Sequence, residues 1–146
     1  MLEYINLIFL SMIPIVELRG AIPMGLALNL NPILVYISCI IGSTIIGIPI
    51  LLTFRYILDY LKSKGYFKGF VNFMENKLHN RAKKMKSLSI VGIILFVGVP
   101  LPTTGTWSAA GIASLLRMRL KDAILGIFLG NIVSGCIVFA VSYHIF

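Results

Sequence analysis

Glu17 and Arg19 are the residues whose types and placement could do chemistry in this 146-residue chain. They stand in VELRGAIPMG (residues 16–25), a charged pair inside an otherwise apolar stretch from Tyr4 to Leu30. Ionisable groups at membrane depth are costly when unpaired and point to a pathway or binding site. Residues two apart do not face each other on a helix, so pairing Glu17 with Arg19 needs unwound chain, which Gly20 and Pro23 would allow. An interfacial turn holding a neutralised pair is the plainer alternative. A second knot, VPLPTTGTWSAAG (99–111), has no charge. Pro100 and Pro102 stop a helix there and Gly105 permits a tight reversal. Thr103, Thr104, Thr106 and Ser108 bring hydroxyls to the amino end of the following helix, where exposed N–H groups favour an anion. Set against Arg19, that pole predicts a phosphate- or carboxylate-binding pocket walled by Trp107; self-capping by the threonines is the alternative. Asn131, about 14 Å into the last apolar run at 1.5 Å per residue, requires a polar partner, which a knot carbonyl or hydroxyl would supply.

Hydrolytic machinery is missing from this pattern. His79 and His144 lie far from the knots, no serine stands in a nucleophile elbow, and no Gly-rich loop precedes a lysine as in a nucleotide-binding loop. Two cysteines and two histidines so widely separated make no zinc or iron–sulfur site, and Cys39 and Cys136 read as small hydrophobes inside apolar segments. The expectation is therefore a protein that is not an enzyme, with no metal or cofactor. Any transport it performs is passive or ion-coupled, and Glu17 is the acidic residue at depth able to exchange a proton.

The elements that must position these residues follow from composition and length. The chain is 58% hydrophobic and only 12% charged, against about 25% charged in soluble domains, with mean hydropathy +0.96. It is expected to be an integral membrane protein of the cell (inner or plasma) membrane. No basic residue precedes the first apolar run and no small-x-small site follows it, so that run is taken as mature structure. The net charge of +8 gathers in residues 55–86 and 117–121. Because these clusters flank apolar segments, the positive-inside rule explains them better than nucleic-acid binding and predicts that both are cytoplasmic.

The chain divides into two halves of similar plan. Each has a short apolar run, a knot, a second short run, a link and a long apolar run. The long runs, 33–54 and 123–143, meet the roughly 20 residues needed to cross a bilayer, whereas a dozen residues reach about mid-membrane. Either each short-knot-short unit crosses as one broken helix, or it turns at the knot and leaves where it entered. Only the second puts both basic clusters on one side. The predicted fold is thus all-α: a single membrane domain (1–146) of two inverted-topology halves, 1–54 and 88–146. Each is a re-entrant helical hairpin (4–30, 88–116) followed by one transmembrane helix, joined by a basic linker (55–87). Hairpin tips would meet near the midplane, with both chain ends outside. Phe67, Phe70, Val71, Met74 and Leu78 suggest an amphipathic helix on the inner leaflet. Small residues (Ser38 and Gly42; Gly126, Gly130 and Ser134) would receive the hairpins or a second protomer. Two crossings make little wall around a pathway, so a homodimer is expected.

ELRGAIP (17–23) with PLPTTGTW (100–107) resembles the paired signature of the small multidrug export proteins, whose halves are distantly similar to the DedA, or SNARE-associated, membrane proteins. The resemblance covers nearly the whole chain. It implies that Glu17, Arg19, Gly20, Pro23, Pro102, Thr104, Gly105 and Trp107 are its motif residues, with Thr103 departing from the glycine usual after the proline. The family name implies drug efflux, while the DedA-like relatives are linked to phosphate-bearing lipids. Three functions follow as expectations. The first is a proton-coupled carrier or flippase for an anionic amphiphile, such as a polyprenyl phosphate or phospholipid headgroup. The second is a proton-coupled exporter of small cationic or amphipathic drugs, and the third a membrane scaffold without transport.

Overall fold

The structure is a computed structural model that describes residues 1–66, 68, 69, 72, 73, 76, 82–101 and 104–145, side chains 82–88 excepted. Among these residues the chain is helix and loop without strand: α1 (Leu2–Met12), α2 (Glu17–Ala27), α3 (Pro32–Ser63), α4 (Ala82–Gly98), α5 (Thr106–Leu115) and α6 (Leu120–Ile145). By length and apolarity α3 and α6 can each cross a membrane. The amphipathic helix expected from Phe67, Phe70, Val71, Met74 and Leu78 lies outside the described residues, as do Pro102 and Thr103.

Local chemistry sets the boundaries. Pro14 holds Ile13 extended, at φ −72° and ψ 130°, because the ring of a proline disfavours helical backbone in the residue before it. The first break is therefore residues 13–16. The knot expected to be unwound, Glu17 to Pro23, is instead the first part of α2, with Pro23 inside the helix. Asn31 caps α3, its side chain accepting from the Ile33 amide at 3.1 Å, with Pro32 at the first helical position, where a missing N–H costs nothing. Charge ends the apolar run at Phe54 without ending the helix, which continues to Ser63. The second arms of both hairpins end alike. Asn29 (φ 54°) and Arg117 (φ 52°) take the left-handed conformation. Just beyond them, the Leu30 amide reaches Gly25 O at 3.3 Å and the Met118 amide reaches Ala113 O at 3.1 Å, the six-to-one bond of a Schellman cap.

Helices α3 and α6 pack antiparallel. Tyr36 donates to Ile132 O at 3.0 Å, Thr44 meets Asn131 at 3.2 Å, and Gly47 lies against Ile127. The first hairpin packs at the end where α3 begins, sharing the core of Leu7, Leu18, Ile22, Val35 and Cys39. The second packs at the other end, with Leu51, Ile93, Val97, Ala110 and Ile127. Near the start of α1, the Tyr4 hydroxyl accepts from the Asn31 amide at 3.2 Å, just past the end of α2. The outer ends of the two arms thus lie together, and the break lies at the far end of the hairpin.

Small residues set how closely the first arm of each hairpin approaches. Gly126 and Gly130 face Ile93 and Val97 of α4. A Cβ on Gly42 would lie against the Ser11 hydroxyl and 2.5 Å from Ile8 O. Backbone cannot yield as a side-chain tip can, so Gly42→Ala must push α1 away from α3. Overpacking costs about 1–3 kcal/mol, more than the ~1 kcal/mol that alanine contributes as a helix former. A lower thermal unfolding midpoint in detergent is expected; a midpoint at or above wild type would mean that α1 does not pack this closely.

Candidate functional site

The two breaks meet beside the middle of α3 and α6, and each charge of the first knot goes to the second knot rather than to its neighbour. The Glu17 carboxylate packs against Gly105 and faces the backbone N–H groups of Thr106 and Trp107, the first turn of α5. Those amides have no partner within the helix and carry its positive pole. Arg19 lies across the other side of the same break. Its Nη2 donates to Thr104 O, to Val97 O at 3.2 Å and to Val99 O at 3.3 Å, the carbonyl end of α4, where a cation is favoured. In this structure Arg19 does not face the α5 pole. The protein's own carboxylate holds the pole and the guanidinium holds the opposite dipole. Two residues apart and on a helix, the side chains diverge, though each remains within reach of the other's charge.

Close packing enforces this. Glu17 is buried, at 7% exposure, and is held at φ 46°, a conformation that residues other than glycine adopt seldom and mostly where surrounding contacts impose it. Gly105 is extended, at φ −110° and ψ −172°, so glycine is not needed for a reversal there. What needs it is the carboxylate: a Cβ on Gly105 would collide with the Glu17 side chain. Gly105→Ala is expected to dislodge Glu17 from the α5 amides and to lower stability by about 1–3 kcal/mol. The loss should shrink when Glu17→Ala opens the space, since neighbours that share a contact are not additive. An additive double-mutant cycle would refute the contact.

The threonines divide their work. Thr104 Oγ1 donates to Val99 O at 2.7 Å and accepts the Leu101 amide at 3.3 Å, closing the α4 end. Thr106 donates to Asn131 Oδ1 at 3.2 Å, and Asn131 Nδ2 donates to Thr44 at 3.2 Å. Asn131 is 1% exposed, and this relay ties α5 to both long helices. Trp107 Nε1 donates to Met12 O at 3.2 Å, capping the carbonyl end of α1. Each hairpin tip therefore caps a helix end of the other.

Beside the tips opens a cleft of about 560 Å³, lined by Ile15, Val16, Glu17, Arg19, Gly20, Met24 and Pro100 among others. Pro23 lies within α2, partly buried. Arg19 Nε is buried and without a hydrogen-bond partner among the described residues. Sequence reasoning missed Pro14, which lines this cleft and makes the break; the signal was the proline itself, hidden among Ile13, Ile15 and Val16. No group of three or more metal-ligating side chains occurs among the described residues, and both cysteines are free.

The sequence model of a family described as "Putative small multi-drug export protein" matches residues 17–137, from the Glu17 that caps α5 to beyond Asn131. The chain belongs to this family. No curated protein and no solved structure matched it. In this member of the small multidrug export family, the stretch shared with the family begins just after the first break, at the charged knot, and contains the second break, all of α3 and most of α6, so Glu17, Arg19 and the tip they meet belong to the family's own portion of the chain.

Proposed function

We propose that this protein is a proton-coupled carrier of an anionic amphiphile, its headgroup a phosphate or carboxylate. The reading places two re-entrant hairpins of inverted topology in the membrane with their tips at the midplane. The observation that carries it is the Glu17 carboxylate packed against Gly105 at the amide pole of α5. An anion site held by a titratable anion is an exchange site. Protonated, Glu17 is a weaker acceptor and releases the Thr106 and Trp107 amides. A substrate headgroup then takes them, with Arg19 Nε as the further donor and the apolar lining of the cleft against its chain. Loss of the proton on the far side returns the carboxylate and expels the headgroup. Proton and anion thus move together. Two copies of the chain would complete the wall that two spanning helices leave open.

The family description supports a second reading, export of amphipathic cations, and so does the apolar lining of Ile15, Val16 and Met24 around a single carboxylate. Proteoliposomes separate the two. On the first reading a fluorescent lipid phosphate crosses faster with wild type than with Arg19→Gln, and faster still under an inward proton gradient. Equal rates for the two proteins, with ethidium moved by both, would transfer the assignment to the cation exporter. Labelling of single cysteines at Asn31 and Lys83, in a background without Cys39 and Cys136, tests the inverted topology, which requires the two positions to react from opposite sides.

A further inference from the structure

Away from the hairpin tips, the C-terminal part of α3 and the end of α5 enclose a second polar space. It is a cleft of about 120 Å³ lined by Arg55, Leu58, Asp59, Ser114 and Arg117. Two features of Arg55 are unexplained by the fold. Its Nε and Nη2 are buried, and neither has a hydrogen-bond partner among the described residues, whereas buried donors in folded proteins are nearly always paired. It is also the first charged residue after an uncharged run that begins beyond Arg19, so it stands where the apolar length of α3 ends. Arg117 is unusual in a different way. It occupies the left-handed position of the α5 cap, at φ 52°, where glycine or asparagine is usual, and its Nη2 pairs with Asp59 at 2.9 Å.

We propose that this cleft binds one phosphate group, the phosphodiester of an anionic lipid headgroup being the source at hand. Two guanidiniums against one carboxylate leave a single positive charge, which matches a phosphodiester. Guanidinium N–H groups fit phosphate oxygens geometrically. Arg117 spends one side on Asp59 and Arg55 keeps two donors. Ser114 does not hold the anion. Its hydroxyl proton is committed to Ala110 O at 2.7 Å and Leu51 O at 3.2 Å, which pins α5 to α3 and fixes the floor of the cleft. Exposed Tyr56 and Tyr60 on the same stretch of α3 are residues favoured at the level of lipid headgroups. The site is independent of the tip site, and neither Glu17 nor Arg19 lines it.

The test uses the whole protein in neutral detergent, with dihexanoyl phosphatidylglycerol and inorganic phosphate titrated separately and the thermal unfolding midpoint as readout. Arg55→Gln removes the free donors. Arg117→Gly removes the second guanidinium while suiting the left-handed backbone, so it keeps the fold if Arg55→Gln does not. Arg119→Gln, outside the cleft, removes the same charge and serves as control. Each cleft variant is expected to weaken the apparent affinity about tenfold, the scale of one charge-assisted hydrogen bond, with Arg119→Gln close to wild type. Stabilisation by the lipid alone assigns the occupant to the bilayer, and stabilisation by both ligands assigns the cleft to phosphate groups in general. The proposal is overturned if neither ligand stabilises wild type, if Arg55→Gln and Arg117→Gly bind as wild type does, or if Arg119→Gln loses as much affinity as they do.

Discussion

Glu17→Gln is expected to abolish proton-driven transport, reducing gradient-dependent uptake in proteoliposomes at least about 100-fold, as removal of an essential proton-transfer group does, while the protein still folds. The amide keeps the shape of the side chain but not its charge. One of its ends is a donor, which faces the Thr106 or Trp107 N–H group with the wrong polarity, and a hydrogen bond to a charged group is worth about 1.5–3 kcal/mol. The left-handed backbone at Glu17 then loses part of what holds it in place. Trp107 is the only tryptophan and bears one of the two amides, so its fluorescence reports the exchange directly. In wild type the emission should change as pH is lowered through protonation of Glu17, and in Glu17→Gln it should stay flat. Uptake at the wild-type rate by Glu17→Gln, with unchanged pH dependence, would remove Glu17 from the coupling step.

What was legible in the sequence is whatever depends on length and hydropathy. The long apolar runs 33–54 and 123–143 lie within α3 and α6, the second knot spans the break between α4 and α5, and the first knot begins where α2 leaves the first break. Asn131 could be marked as needing a partner because an amide at that depth has few choices, and Thr106 is one of the two it finds. Hydropathy was blind to the first break. Ile13, Ile15 and Val16 are as apolar as the helix before them, and only Pro14 marks the stop. It was equally blind to the end of α3, since Arg55, Asp59 and Lys62 interrupt an apolar run without interrupting a helix. The partners of Glu17 and Arg19 were hidden for another reason. Local rules exclude a helical pair two residues apart but do not say where each charge goes, and both partners lie more than 75 residues further along the chain. The role of Gly105 was misread because a glycine after prolines suggests a turn, while here it is the missing Cβ that matters.

Arg19 separates a brace from a binding group. Its Nη2 serves the carbonyls of Val97, Val99 and Thr104, while its Nε lies buried with no partner among the described residues. Arg19→Gln strips the α4 end of its cation and leaves Glu17 buried without a nearby counter-charge. Breaking a buried charge arrangement by removing one side costs about 3–5 kcal/mol. A large drop in the unfolding midpoint and loss of transport are therefore expected together, and that variant alone does not tell bracing from binding. Arg19→Lys does. An ammonium keeps the charge and can reach the carbonyls, but it lacks the planar fork and the Nε donor. If Arg19 both braces and binds, Arg19→Lys should recover most of the midpoint while uptake of a lipid phosphate stays about tenfold or more below wild type, the cost of one lost charge-assisted bond. Recovery of both would make Arg19 a brace alone and leave the α5 amides as the whole of the anion site.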